Sequence, residues 1–209
     1  MLRTLCVGLA AAFLSGCATG AQKKPNEAAE SVAFEALKRG GYVIVMRHAN
    51  SPGDQAGAAG LSEGCRLAPG RGLDAKGFYQ ARSFGAILAE NDVPILKAYT
   101  SRMCRSWDTA ALTAGGAPVV PHDSQMSTDA NTVAAFKRDV TRELSQNPGQ
   151  NIILSSHSNI APLYGATTKK GEKEVPSGVI YIVHPRDWAP IARMDLIARL
   201  PASPSVAVE

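Results

Sequence analysis

Two histidines in this chain each stand directly after a run of strand-forming residues, and arginines stand at comparable places. Val43-Ile44-Val45-Met46 leads into Arg47-His48-Ala49-Asn50-Ser51, and Asn151-Ile152-Ile153-Leu154-Ser155 leads into Ser156-His157-Ser158-Asn159. A third such run ends at Thr100 and is followed by Ser101, Arg102 and Arg105. Arginine presents a planar fork that makes paired hydrogen bonds to an oxyanion and stays charged at any relevant pH. A neutral imidazole presents a lone pair for nucleophilic attack. Residues of these types, gathered at one place, suit chemistry on a small anionic group, and Asn50 and Ser51 add neutral donors just past His48.

The elements that must gather them are legible as alternating patterns. Strands are expected over residues 42–46, 96–100, 118–121, 151–155, 177–184 and 191–197. Helices are expected over residues 27–38, ended by the paired glycines Gly40 and Gly41, and from Asp74, a plausible N-cap, to about Glu90. Phe78, Ala81, Phe84 and Leu88 share one face of that second helix. A third helix starts near Arg105, where Trp107 is expected to pack in the core. A fourth spans residues 131–145, with Val133, Phe136, Val140 and Leu144 at helical spacing. This alternation predicts a three-layer α/β/α sandwich with a mostly parallel central sheet. Ligands of open α/β sheets bind beyond the carboxyl ends of the strands, which is where both histidines and the arginines fall.

Composition sets the outer bounds. Of 209 residues, 45% are hydrophobic, 19% charged and 6% aromatic. That excludes disorder, collagen-like repeats and a disulfide-dense miniprotein, and predicts one globular domain. The net charge of +4 is spread out without a basic run, so nucleic acid is not an expected partner.

The amino terminus has a different character. Arg3 precedes an apolar run from Leu5 to Leu14, too short for a permanent bilayer span, followed by Ser15, Gly16 and Cys17. Leu14-Ser15-Gly16-Cys17 resembles the lipobox of bacterial lipoproteins. The resemblance implies a signal peptide over residues 1–16 and a diacylated Cys17 that holds the protein on a membrane without spanning it. The same resemblance implies, from Ala18 rather than Asp after the cysteine, the periplasmic face of the outer membrane. Residues 17–27 then form a lipidated tether, residues 28–200 the domain and residues 201–209 a tail. With Cys6 removed and Cys17 acylated, Cys65 and Cys104 remain, and in an oxidising compartment they are expected to pair.

Four segments carry a further resemblance. Val43 to Ala49, with its strand-Arg-His-Ala pattern, resembles the opening signature of the histidine phosphatase superfamily, also called phosphoglycerate mutase-like. Leu73-Asp74-Ala75-Lys76-Gly77-Phe78-Tyr79-Gln80-Ala81 resembles its Leu-x-x-x-Gly-x-x-Gln-Ala helix start. Ser101 to Ala110 resembles its Ser-x-x-x-Arg-x-x-x-Thr-Ala segment, and Ser155 to Ile160 resembles the segment of its second histidine. The order is that of the family, and the set covers roughly residues 40–165.

What the resemblance implies is a phosphatase with a phosphoglycerate mutase-like fold. His48 would be the nucleophile and form a phosphohistidine. Arg47 and Arg105 would bind the phosphate, with His157 donating to an equatorial oxygen and Asn50 supplying a neutral donor. A transferring phosphoryl group spreads charge over three oxygens, so neutralising and positioning them is most of the task. Flanking guanidinium charges favour the neutral histidine that attack requires. No cofactor is expected, and no His-x-His or His-Glu-x-x-His spacing suggests a metal.

The general acid is where the chain departs from the family. His157 is followed by Ser158 rather than by an aspartate, and the stretch from His122 to Asp129 contains no glutamate. Asp129 is the expected acid and Asp123 the reserve; if neither reaches the site, only substrates with good leaving groups turn over well. Lys169, Lys170, Glu172, Lys173 and Glu174 form a charge-rich loop, read either as a solvated turn or as a rim that contacts an anionic substrate. The resulting expectation is a lipid-anchored periplasmic phosphomonoesterase acting on a small phosphorylated substrate, such as an envelope sugar phosphate. The alternative is a noncatalytic lipoprotein that binds a phosphorylated ligand in the same pocket.

Overall fold

A computed structural model describes residues 25–51 and 72–195. The signal, tether and tail expectations, the lipidation site Cys17, and Cys65 lie outside the described residues, as does nearly all of the insert after Gly53.

The chain runs α1 (Pro25–Arg39), β1 (Val43–Arg47), α2 (Ala75–Glu90), β2 (Ile95–Thr100), α3 (Cys104–Thr113), β3 (Val119–Pro121), α4 (Ala130–Gln146), β4 (Asn151–Ser156), β5 (Ile180–Val183) and β6 (Pro190–Met194). One-turn 3-10 helices at Asp123–Gln125 and Ala161–Tyr164 lie after β3 and β4. The sheet order is β3-β2-β4-β1-β5-β6. β1 to β4 form one parallel block, and β5 and β6 are added antiparallel at the β1 side. The expected three-layer sandwich with a mostly parallel sheet is therefore observed.

Period-2 alternation divides the core between the two faces of the sheet. Ile44, Met46, Ile153 and Ile180 pack with Phe34 and Leu37 of α1 and with Phe84 and Leu88 of α2. Val43, Val45, Ile152 and Leu154 face the other way, onto Val133, Phe136, Val140 and Leu144 of α4. β4 lies between β1 and β2 and is buried along its whole length, as a central parallel strand flanked by helices must be.

Local signals set the boundaries. Asp74 caps α2 by accepting from Gly77 N at 2.7 Å. Gly40 ends α1 at φ +73, and a Cβ there would lie 2.1 Å from the Gly149 carbonyl carbon, so this turn demands glycine. Two side chains are more exposed than their sequence positions predict. Phe78 is 41% exposed, because the buried face of α2 carries Gly77, Gln80, Ala81 and Phe84 instead. Trp107 is only half-buried, and the covered face of α3 carries Cys104, Ser106, Thr109 and Ala110 instead.

Candidate active site

β1 and β4 pair in parallel with Arg47 opposite Ser156, so His48 and His157 leave the sheet edge side by side. His48 N donates to Ser156 O at 2.9 Å, and the two imidazole centroids are 5.5 Å apart. Arg105 arrives from the first turn of α3, after β2. Arg47, His48, Arg105 and His157 line one cavity of about 290 Å³, together with Met103, Met126 and the turn from Ser158 to Ile160. The structure thus brings together four of the six side chains expected to act.

His48 is held in one protonation state and one orientation. It is 3% exposed, and its Nδ1 lies 2.8 Å from Ala49 O. A carbonyl only accepts, so Nδ1 carries the hydrogen and Nε2 keeps its lone pair. Burial lowers the imidazole pKa to about 3. The bond to Ala49 opposes that shift, while the charges of Arg105, His157 and Arg47 add to it. At neutral pH His48 is therefore uncharged with a free nitrogen.

The turn after His48 is pinned by residues of the other motifs. Ala49 N donates to Thr109 Oγ1 at 2.9 Å, and that hydroxyl donates to Arg105 O at 2.6 Å. One threonine of α3 therefore fixes the backbone next to His48 relative to that of Arg105. Asn50 N donates to Gln80 Oε1 at 2.8 Å. Gly77 lets α2 approach closely, since a Cβ there would lie 2.0 Å from Asn50 O.

His157 is engaged at both nitrogens. Arg105 Nη2 lies 3.4 Å from Nδ1, and Ser101 Oγ lies 2.9 Å from Nε2. A guanidinium only donates, so Nδ1 accepts and Nε2 donates to Ser101. Donation from Nδ1 to a bound oxyanion requires that Arg105 turn to the ligand and that Nδ1 carry a hydrogen, either on a protonated ring or on the other neutral tautomer with the Ser101 hydroxyl donating to Nε2. Ser101 also accepts from Met103 N at 3.3 Å, which ties the His157 ring to the start of α3.

Arg47 is 15% exposed on its side chain, and its buried Nε has no hydrogen-bond partner. Its Nη1 donates to Val175 O at 3.0 Å and to Glu174 Oε1. Glu174 belongs to the charge-rich loop before β5, which the sequence offers either as a solvated turn or as a rim of the site without singling out this residue. No local signal marks it; the pairing joins residues 127 positions apart.

Two expected site residues are placed elsewhere. Asn50 does not line the cavity, and its side-chain amide donates to Asp74 Oδ2 at 2.6 Å, which joins the His48 turn to the α2 cap. Asp129 caps α4, accepting from Thr132 N at 2.7 Å and from Thr132 Oγ1 at 2.8 Å. These bonds lower its pKa, the opposite of what a proton donor needs. The reserve, Asp123, is exposed and pairs with Arg102, which is itself solvent-facing. Cys104 is buried beside Arg105 at the start of α3. Among the described residues, no group of three or more His, Cys, Asp or Glu side chains is arranged to hold a metal ion.

Neither the family models nor the curated proteins compared with this sequence give a match. Solved structures do. The protein histidine phosphatase SixA complexed with tungstate superposes with a TM-score of 0.56 at 13% identity, over 77% of this chain and 99% of that one. A candidate phosphohistidine phosphatase SixA from Agrobacterium tumefaciens gives 0.51 at 16% identity, over 73% and 97%. A phosphoglycerate mutase from Bacillus anthracis gives 0.50 at 14% identity, over 71% and 89%. At these identities the likeness is one of fold, and the chain has the three-layer α/β/α fold shared by the SixA histidine phosphatase and phosphoglycerate mutase.

Proposed function

We propose that this protein is a phosphomonoesterase that works through a phosphohistidine on His48. The observation that carries the reading is the neutral, buried His48, its Nε2 free in a cavity that also holds Arg47, Arg105 and His157. The two guanidinium groups neutralise the equatorial oxygens of a bound phosphate, and Nε2 attacks phosphorus as the ester oxygen departs. Water then cleaves the P–N bond and releases inorganic phosphate. The tungstate held by the similar SixA structure is a tetrahedral oxyanion of phosphate's shape, which agrees with this reading.

The proposal extends to location and substrate. Cys17 carries the lipid, the domain stands on the periplasmic face of the outer membrane, and Cys65 and Cys104 are disulfide-bonded to each other. Cys104 is not a free thiol, which supports that pairing. A phosphorylated sugar of the envelope, such as a core heptose phosphate, suits this location.

The test is hydrolysis of 4-nitrophenyl phosphate by the detergent-solubilised protein and by His48→Ala. Turnover that the substitution abolishes, with acid-labile label from ³²P-phosphate ester trapped on the wild-type, is the expected result. The second reading, a pocket that binds without turnover, is favoured by the placement of Asp129 and Asp123 outside the cavity. Vanadate binding without hydrolysis would establish it. A Cys17→Ser variant that still fractionates with membranes would refute the lipid anchor.

A further inference from the structure

We infer that Glu174 is the proton donor to the leaving group, an inference that rests on the phosphatase reading above. In-line attack places the leaving oxygen opposite the nucleophile. His48 is 3% exposed at the floor of the cavity, so the ester oxygen points toward the solvent side. A donor must therefore sit at the rim, within reach of the phosphate. Glu174 meets both conditions: its side chain is 53% exposed, and Oε1 contacts Nη1 of Arg47, one of the two groups that take the phosphate.

The loop holds this carboxylate in place. Two residues earlier, Glu172 accepts from the 11% exposed Arg193 of β6 at 2.5 Å and from Lys169 N at 2.7 Å. One residue later, Val175 O accepts from Arg47 at 3.0 Å. Glu174 is thus fastened on both sides, to β6 and to the site itself.

Ligand binding supplies the proton-holding state. In the free protein the Arg47 charge matches the Glu174 carboxylate. A phosphate that takes Arg47 puts a second anion beside the carboxylate, and like charge raises a carboxyl group's affinity for protons. In the first step the His48 Nε2–P bond forms, the P–O ester bond breaks, and the Glu174 proton passes to the departing oxygen to give the alcohol. In the second step the Glu174 carboxylate takes a proton from the attacking water as the P–N bond breaks, which returns both residues to their starting states.

Leaving-group dependence separates this role from a merely structural one. The nitrophenolate of 4-nitrophenyl phosphate departs with little help, whereas the alkoxide of a sugar or alkyl phosphate needs a proton. The full-length protein in detergent and its Glu174→Gln variant are compared by kcat/KM on 4-nitrophenyl phosphate and on an alkyl phosphate, with matched thermal melts. General acid catalysis typically contributes about 10²- to 10⁴-fold, so the alkyl ester should lose at least about 100-fold. The aryl ester should lose less than about 10-fold, and Glu174→Asp should recover part of the alkyl activity. Equal losses on both esters would make Glu174 a positioning residue for Arg47, and equal gains would make it a competitor of the phosphate; either result overturns the assignment. Absence of wild-type turnover on both esters overturns the phosphatase reading itself, and this inference with it.

Discussion

Replacing Thr109 by valine tests whether one hydroxyl couples the nucleophile's turn to the phosphate arginine. Thr109 is fully buried, and valine matches its shape, so no cavity opens. What is lost is the acceptor for Ala49 N and the donor to Arg105 O. The Arg105 carbonyl sits in the first turn of α3 and keeps the helix's own hydrogen bond. Ala49 is 1% exposed, so its N–H is left without water or a protein partner. An orphaned buried donor costs about 1–3 kcal/mol. For a chain of this size each kcal/mol moves Tm by about 2–4 °C, so a fall of about 2–12 °C follows. Thr109→Ser keeps the hydroxyl and should lose less. Urea and thermal denaturation give the stability change, and kcat on 4-nitrophenyl phosphate reports the displacement of His48. A Thr109→Val protein within about 0.5 kcal/mol of wild-type, the range of ordinary surface substitutions, would refute the coupling.

Two further outcomes follow from the site. Because the folded His48 pKa is lowered to about 3, the unfolded chain binds a proton near pH 6.5 that the folded chain refuses; the stabilisation is intact above that pH and declines as pH falls toward 3. Wild-type protein should therefore lose about 2 kcal/mol more than His48→Asn between pH 7 and pH 5 in urea denaturation, and parallel losses would contradict the buried neutral state. Gly77→Ala places a Cβ 2.0 Å from Asn50 O, a backbone atom that also belongs to the His48 turn. It should lower both Tm and turnover, and an alanine variant with unchanged activity would mean that α2 does not brace the nucleophile.

The motifs that were legible in the sequence are those whose roles are local or recur at strand ends. Asp74 caps the helix next to it, which needs only three residues of chain. Arg47, His48 and His157 follow apolar runs, and parallel strands necessarily end together when their registers match. Asn50 departs from its expected role for the opposite reason. Its position just past His48 is local information, but its amide is taken by Asp74, 24 residues away. Asp129 likewise lies in the stretch where an acid was expected, yet the start of α4 claims its carboxylate as a cap.

Glu174 shows the complementary case. In sequence it is one charge among several in a polar loop, and nothing local distinguishes it from Lys173 or Glu172. Its meeting with Arg47 depends on how β5 and β6 join the β1 edge and on how Arg193 holds the loop down. Hydrophobic period and caps are set by near neighbours, which is why the element order, the two faces of the sheet, the strand-end placement of Arg47, His48 and His157 and the helix-start placement of Arg105 are legible in the sequence. Which polar side chains face the cavity and which are consumed in holding its walls is set by long-range packing, because each buried donor and acceptor must find a partner and those partners come from distant parts of the chain.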